Sequence, residues 1–198
     1  MPGGMGQRGG GVQGSDPADA VQPAAAEKSD VTAKKAFNAG LKSYNKAKEL
    51  AAAGNLERAN DNYSRALDQF TEALSNKGDM FDAWKYVGFV HLHLGAYAES
   101  VDDFNHAFAI KADADMETVE ARAEAYLGVD RLEDAKSAYM DLFNHQRERA
   151  DQLMAAMQKW LIDHRANANG MRVGELDAFD KWLQERDGIA KQTASLPH

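Results

Sequence analysis

The chain of 198 residues contains no cysteine, which removes disulfides, thiolate nucleophiles and cysteine metal sites together. Proline is nearly absent from most of its length: three of the four lie in the first 30 residues, and none occurs between positions 24 and 196. No apolar run approaches the ~20 residues that a spanning helix needs, and the mean hydropathy of -0.57 agrees, so membrane insertion is not expected. Excess positive charge is missing as well. A net charge of -8 and a pI near 5.2 argue against nucleic acid as a partner, because phosphate binding depends on clustered Lys and Arg. No charged segment followed by an apolar one marks an export signal. The sequence as it stands therefore reads as a soluble cytoplasmic chain, or a periplasmic one if a signal peptide lies upstream.

Composition shifts near residue 30. MPGGMGQRGGGVQG holds seven glycines, and the Pro/Ala-rich stretch after it offers too little apolar area to offset its ordering entropy. Residues 1–32 are expected to be a disordered tail. From Phe37 onward Ala, Leu, Glu, Lys, Gln and Met dominate, the residues that lose least entropy in a helix. Breakers punctuate this stretch at Gly54-Asn55, Asn76 to Asp79, Gly95, Ala112 to Asp115, Gly128 to Asp130 and Asn167 to Gly170. The segments between carry apolar residues at i, i+3, i+4 and i+7, which predicts an all-α array of antiparallel helix pairs.

The breakers recur, and so does a pattern of small and large residues. The central unit reads Trp84-x-x-Val87-Gly88-x-x-His91, then Gly95, Tyr97, Ser100, Phe104 and Ala107. A shift of 35 gives Ala123, Tyr126, Leu132, Ala135 and Tyr139, and an earlier unit is legible in Gly54, Leu56, Ala59, Tyr63 and Ala66. Small residues such as Gly88 and Ala135 let helix backbones approach, and Trp84, Tyr97, Phe104, Tyr126 and Tyr139 fill the gaps, with Ala107 closing the second helix. In the first unit Phe70 and Ala73 repeat the Tyr63 and Ala66 spacing one heptad on, so its second helix is expected to be about two turns longer than usual.

This pattern resembles the tetratricopeptide repeat (TPR) over about residues 40 to 143, without the proline that the family places after the second helix, where the central unit has Ala112. The resemblance implies a right-handed α-solenoid of about three helix pairs over residues 33–144. Residues 145–198 would then form a capping pair, because an open repeat array needs its end covered. The same residues include a stripe of Met157, Trp160, Phe179 and Trp182. An alternative makes that stripe a docking face, and the chain a structural subunit of a larger, envelope-type assembly.

Candidate chemistry is sparse. His91 and His93 stand two apart, which on a helix aims them at nearly opposite sides, whereas helical metal pairs use i, i+4. Asp113, Asp115, Glu117 and Glu124 match four positions of a calcium loop, but Thr118 stands where the turn glycine is needed, and acids at a helix start suit the macrodipole. No nucleophile elbow, phosphate loop or dinucleotide fingerprint is present. No metal, cofactor or catalytic residue is expected. In TPR proteins the first helix of each unit lines a concave groove that binds a peptide or partner protein. The resemblance places Asp82, Lys85, Tyr86, Phe89 and His93 there, followed by Glu117, Glu120 and Glu124. The acids imply a partner of basic or mixed charge, and only Lys85 suggests the Lys-Asn-Arg set with which one subgroup clamps a peptide carboxylate.

Overall fold

The computed structural model describes residues 22–113, 115–166 and 172–194. Among them the chain is all-helical: α1 (Gln22–Ala52), α2 (Leu56–Asn76), α3 (Phe81–Leu94), α4 (Tyr97–Ile110), α5 (Met116–Gly128), α6 (Leu132–His145), α7 (Arg147–Arg165) and α8 (Val173–Ala194). Each helix packs on its neighbours in sequence, and α5 also lies against α3 and α7, which makes the chain an α-helical repeat solenoid.

Five of the six breakers act where the sequence places them, and the sixth, Asn167 to Gly170, lies outside the described residues. Gly54 and Gly95 take φ values of +77° and +76°, in the left-handed region that favours glycine, and each ends the first helix of a pair. Asp130, at φ 61°, makes the corresponding turn after α5. The Asn55 side chain accepts the Arg58 amide at the start of α2. Asp115, a calcium-loop position in the sequence, instead caps α5 by accepting both the amide and the hydroxyl of Thr118 at 3.0 Å.

The recurring small and large residues meet across each pair. Gly88 stands so close to Phe104 that a Cβ there would lie 2.8 Å from the ring. Ala47 and Tyr63 occupy the corresponding positions in the first pair, Ala123 and Tyr139 in the third, and all four are buried. The α1/α2 pair repeats the arrangement seven residues further out on each helix, with Gly40 against Phe70. α2 accordingly spans 21 residues where α4 and α6 span 14. Full burial of a ring such as Phe70 stabilises by roughly 2–3 kcal/mol, which is why the extra heptad keeps its large residue.

One expectation changes. Of the tail expected over 1–32, positions 1–21 lie outside the described residues, whereas 22–32 are helical and belong to α1. Ser29 donates to the Asn76 carbonyl at 2.5 Å, Asp30 pairs with Lys77 at 3.2 Å, and Ala33 is fully buried. Met157, Trp160 and Phe179 are buried between α7, α8 and the preceding pair, with Trp182 half-buried and edge-on to Tyr139 at 5.4 Å. The stripe that the alternative reading made a docking face is therefore mostly buried among the last helices. Tyr97 is 39% exposed, and its ring lies over Gly128 in the gap between α4 and α5.

Candidate interaction face

The odd-numbered helices lie side by side, α3 on α5 and α5 on α7, and they carry the residues that the sequence assigns to the groove. On α3, Tyr86 and Phe89 face α1 and α2. Tyr86 packs against Phe37 and Phe70 at ring distances of 5.8 and 5.5 Å, and Tyr44 stands edge-on to it at 5.3 Å. Phe89 reaches both Tyr44 and Phe104, at 6.4 and 5.4 Å. These two rings are therefore as much core as surface.

His93 shares a 3.2 Å hydrogen bond with the Tyr44 hydroxyl through Nε2, and its ring stacks on Tyr63 at 4.8 Å. The residue is exposed, with its ring flanked by the two tyrosines. Partial burial of the ring, with the Lys48 ammonium nearby, holds the His93 pKa below the ordinary 6.5. Burial also pushes the Tyr44 hydroxyl up, helped by Tyr63, Tyr86 and Glu117, so the phenol stays protonated. His91 turns the other way, as its spacing from His93 requires, and its Nδ1 pairs with Asp103 of α4 at 2.6 Å.

The acids of α5 have separate fates. Glu117 is exposed. Glu120 is 8% exposed and accepts from Arg149 of α7 at 2.5 Å, which makes it a strut between helices. Glu124 is half-buried, makes no hydrogen bond or ion pair among the described residues, and has its pKa raised by burial and by Glu120. It lines a cavity of about 430 Å³ together with His93, Tyr97, Leu127, Lys159 and Trp160. Asp82 is exposed at the edge. Lys85 is bonded to Asp115 at 3.1 Å, lies 3.9 Å from Asp82 and sits over the Tyr86 ring, so its charge is already answered.

Tyr44 was missed in the sequence, although the shift of 41 that relates Gly54 to Gly95 also places Tyr44 opposite Lys85. Among the packing residues, Phe104, Ala107, Ala135 and Tyr139 are fully buried and Tyr126 is nearly so. Trp84 is half-buried; its indole donates to the Gly78 carbonyl at 2.9 Å and stacks on His106. Among the described residues no group of three or more His, Asp or Glu could hold a metal, and no helix is long and apolar enough to cross a membrane.

No family model matches the sequence, and no curated protein does. Among solved structures the chain is similar to the Arabidopsis OM64 TPR domain, with a TM-score of 0.46 and 14% identity, covering 63% of this chain and 96% of that one.

Proposed function

We propose that the chain is a non-catalytic interaction scaffold, and that the face of α1, α3, α5 and α7 takes a segment of a partner protein of basic or mixed charge. The observation that carries this reading is Glu124: a half-buried carboxyl, repelled by Glu120 and unpaired among the described residues, in a cavity walled by His93, Tyr97 and Trp160. A cation from a partner would relieve that repulsion, and aromatic walls suit the stem of a Lys or Arg side chain. Glu117 extends the negative wall toward Tyr44. Lys85 is engaged by Asp115, which disfavours the capture of a peptide carboxylate at this place.

The test starts from affinity purification out of the native host and mass spectrometry, followed by kinetics with the purified partner. Glu117→Lys and Glu124→Gln leave the Glu120–Arg149 strut in place, so the fold is expected to persist. Association should slow, and wild-type binding should weaken as salt shortens the screening length below ~10 Å. Binding indifferent to both substitutions and to salt would move the interaction to another surface.

A further inference from the structure

Arg122 fills a gap between two helix pairs of this chain. It leaves α5 toward α4, where its guanidinium lies over the Phe108 ring at 3.9 Å and its Nη1 donates to Asn105 at 3.1 Å, and the carboxylates of Asp134 and Asp141 on α6 act on its charge. Moving back one pair by 35 residues puts Val87 of α3 where Arg122 stands, His91 where Tyr126 stands and Asp103 of α4 where Ala138 stands. The shift of 41 that relates the first pair to the second puts Leu67 of α2 at the place of Phe108. Valine is too short to cross to the flanking helices. The gap stays open, as a cavity of about 460 Å³ with Val87 in its wall, beside Leu67, Thr71, Trp84, His91 and Asp103.

The two gaps also differ in charge. Arg122 carries its own cation into the later one, whereas the earlier one holds a carboxylate and no Lys or Arg in its lining. The Asp103 Oδ2 accepts from the His91 Nδ1 at 2.6 Å, while Oδ1 has no hydrogen-bond or ion-pair partner among the described residues. Both side chains keep an edge in solvent, 11% of Asp103 and 19% of His91, so the groove reaches them. A neutral imidazole donating from Nδ1 leaves the charge of the carboxylate in place. Burial pushes the Asp103 pKa above the ordinary 3.8, although the His91 hydrogen bond and the charges of His91 and His106 pull it down. The negative charge is thus held at a cost that a cation from outside would reduce.

We propose that this groove takes an arginine side chain of a partner protein, its guanidinium donating to the Oδ1 oxygen of Asp103 and its stem lying along Leu67 and Trp84. The carboxylate can only accept, so the occupant must donate, and a planar fork of N–H groups on a long stem matches a carboxylate at the bottom of an apolar groove. Arg122 shows the same side chain seated one pair later, over a ring and bonded to the neighbouring helix. Trp84 is a fixed wall for the stem, since its indole donates to the Gly78 carbonyl at 2.9 Å and stacks on His106 at 4.4 Å. Trp84, Val87 and His91 stand at i, i+3 and i+7 on α3, and Tyr86, Phe89 and His93 have the same spacing on its opposite side. The groove is therefore separate from the face of α1, α3, α5 and α7.

The experiment titrates the full chain with N-acetyl-L-arginine methylamide and, separately, with the citrulline analogue, which has the same shape and no charge. NMR shifts are followed at the Trp84 indole N–H and the Thr71 and Ser75 amides; arginine bound beside Glu124 would report through the Trp160 indole and the Gly128 amide, which tells the two places apart. Blocked arginine is expected to saturate the shifts at Trp84 and Ser75 in the millimolar range, the scale for a fragment of its size. The citrulline compound should bind at least about tenfold more weakly, and Asp103→Asn should weaken arginine by about tenfold or more, the range for a hydrogen bond between charged groups. Thr71→Lys, at an exposed place in the lining, sets a rival cation at the mouth; it should weaken arginine too and serves if Asp103→Asn folds poorly. Equal binding of the two compounds, arginine affinity unmoved by both substitutions, or no saturable shift at Trp84 with millimolar arginine each overturns the proposal.

Discussion

A single hydrogen atom decides the geometry at Gly88. Replacing it with a methyl group would put carbon 2.8 Å from the Phe104 ring, and at Gly40 the distance to the Phe70 ring would be 2.5 Å. Both rings are fully buried and cannot swing aside. Gly88→Ala and Gly40→Ala should therefore each destabilise by about 1–3 kcal/mol through overpacking. Gly95→Ala meets nothing within 4 Å, and its penalty of about 1 kcal/mol should come from the left-handed backbone alone. Urea denaturation of the three variants checks the order; a neutral Gly88→Ala would remove the close contact on which the repeat assignment stands.

His93 offers a second test at this scale. Partial burial beside Tyr44 and Tyr63 disfavours its charged form, so it should titrate below 6.5 by NMR in the folded protein, and Lys48→Ala should move the midpoint part of the way back up. The sign for stability follows from linkage: the unfolded chain binds this proton more readily, so the contribution from His93 is present above 6.5 and is lost as pH falls from there toward the folded midpoint. Glu124 has the opposite sign. Its pKa is raised on folding, so it holds its proton more readily when folded, and its contribution is lost as pH rises through that raised value. Replacing His93 with Gln should flatten the acid side of the stability profile, and Glu124→Gln the rise-in-pH side, as read from melting temperature against pH.

At the level of helices, the turns and the two central pairs were legible because the repeat supplies several copies of the same contact. Glycine or asparagine marks most of the breaks, with Asp115 marking the start of α5, and the alternation of Ala47, Gly88 and Ala123 with Tyr63, Phe104 and Tyr139 gives the spacing that pairs them. The extra heptad of α2 could be read from Phe70 and Ala73. Its counterpart on α1 could not, since Ala33, Ala36 and Gly40 have small side chains that give almost no hydropathy contrast, and the flanking Pro23 and alanines resemble a tail. Spacing put Glu117, Glu120 and Glu124 on one face of α5 but could not say which neighbour reaches each. Arg149, 29 residues on from Glu120, belongs to another helix. That strut makes a prediction. Arg149→Met should destabilise by about 2 kcal/mol, less than a fully enclosed pair because the arginine keeps solvent contact, by leaving a buried carboxylate unanswered. Adding Glu120→Gln should recover most of the loss in a double-mutant cycle, and an additive double variant would show that the two side chains do not depend on each other.

Across the whole molecule the core falls into two clusters, one built on α1 to α4 with Ala121 of α5 and the other running from α4 to α8. Helix contacts are almost all between neighbours in sequence, so stability should be the sum of local terms and the two ends should be able to open separately. Leu183 provides the means to test this. It is 2% exposed in α8 and lies in the second cluster, so Leu183→Ala should destabilise that end by about 2–5 kcal/mol. Native-state hydrogen exchange followed by mass spectrometry should then show faster exchange in α7 and α8, a smaller change in α6, and unchanged protection in α1 to α3, whose buried aromatic cluster of Tyr44, Tyr63, Phe70 and Phe89 is untouched. A uniform rise from α1 to α8 would mean that the chain opens as one unit, and the face of α1, α3, α5 and α7 would then lose its order whenever α7 and α8 did.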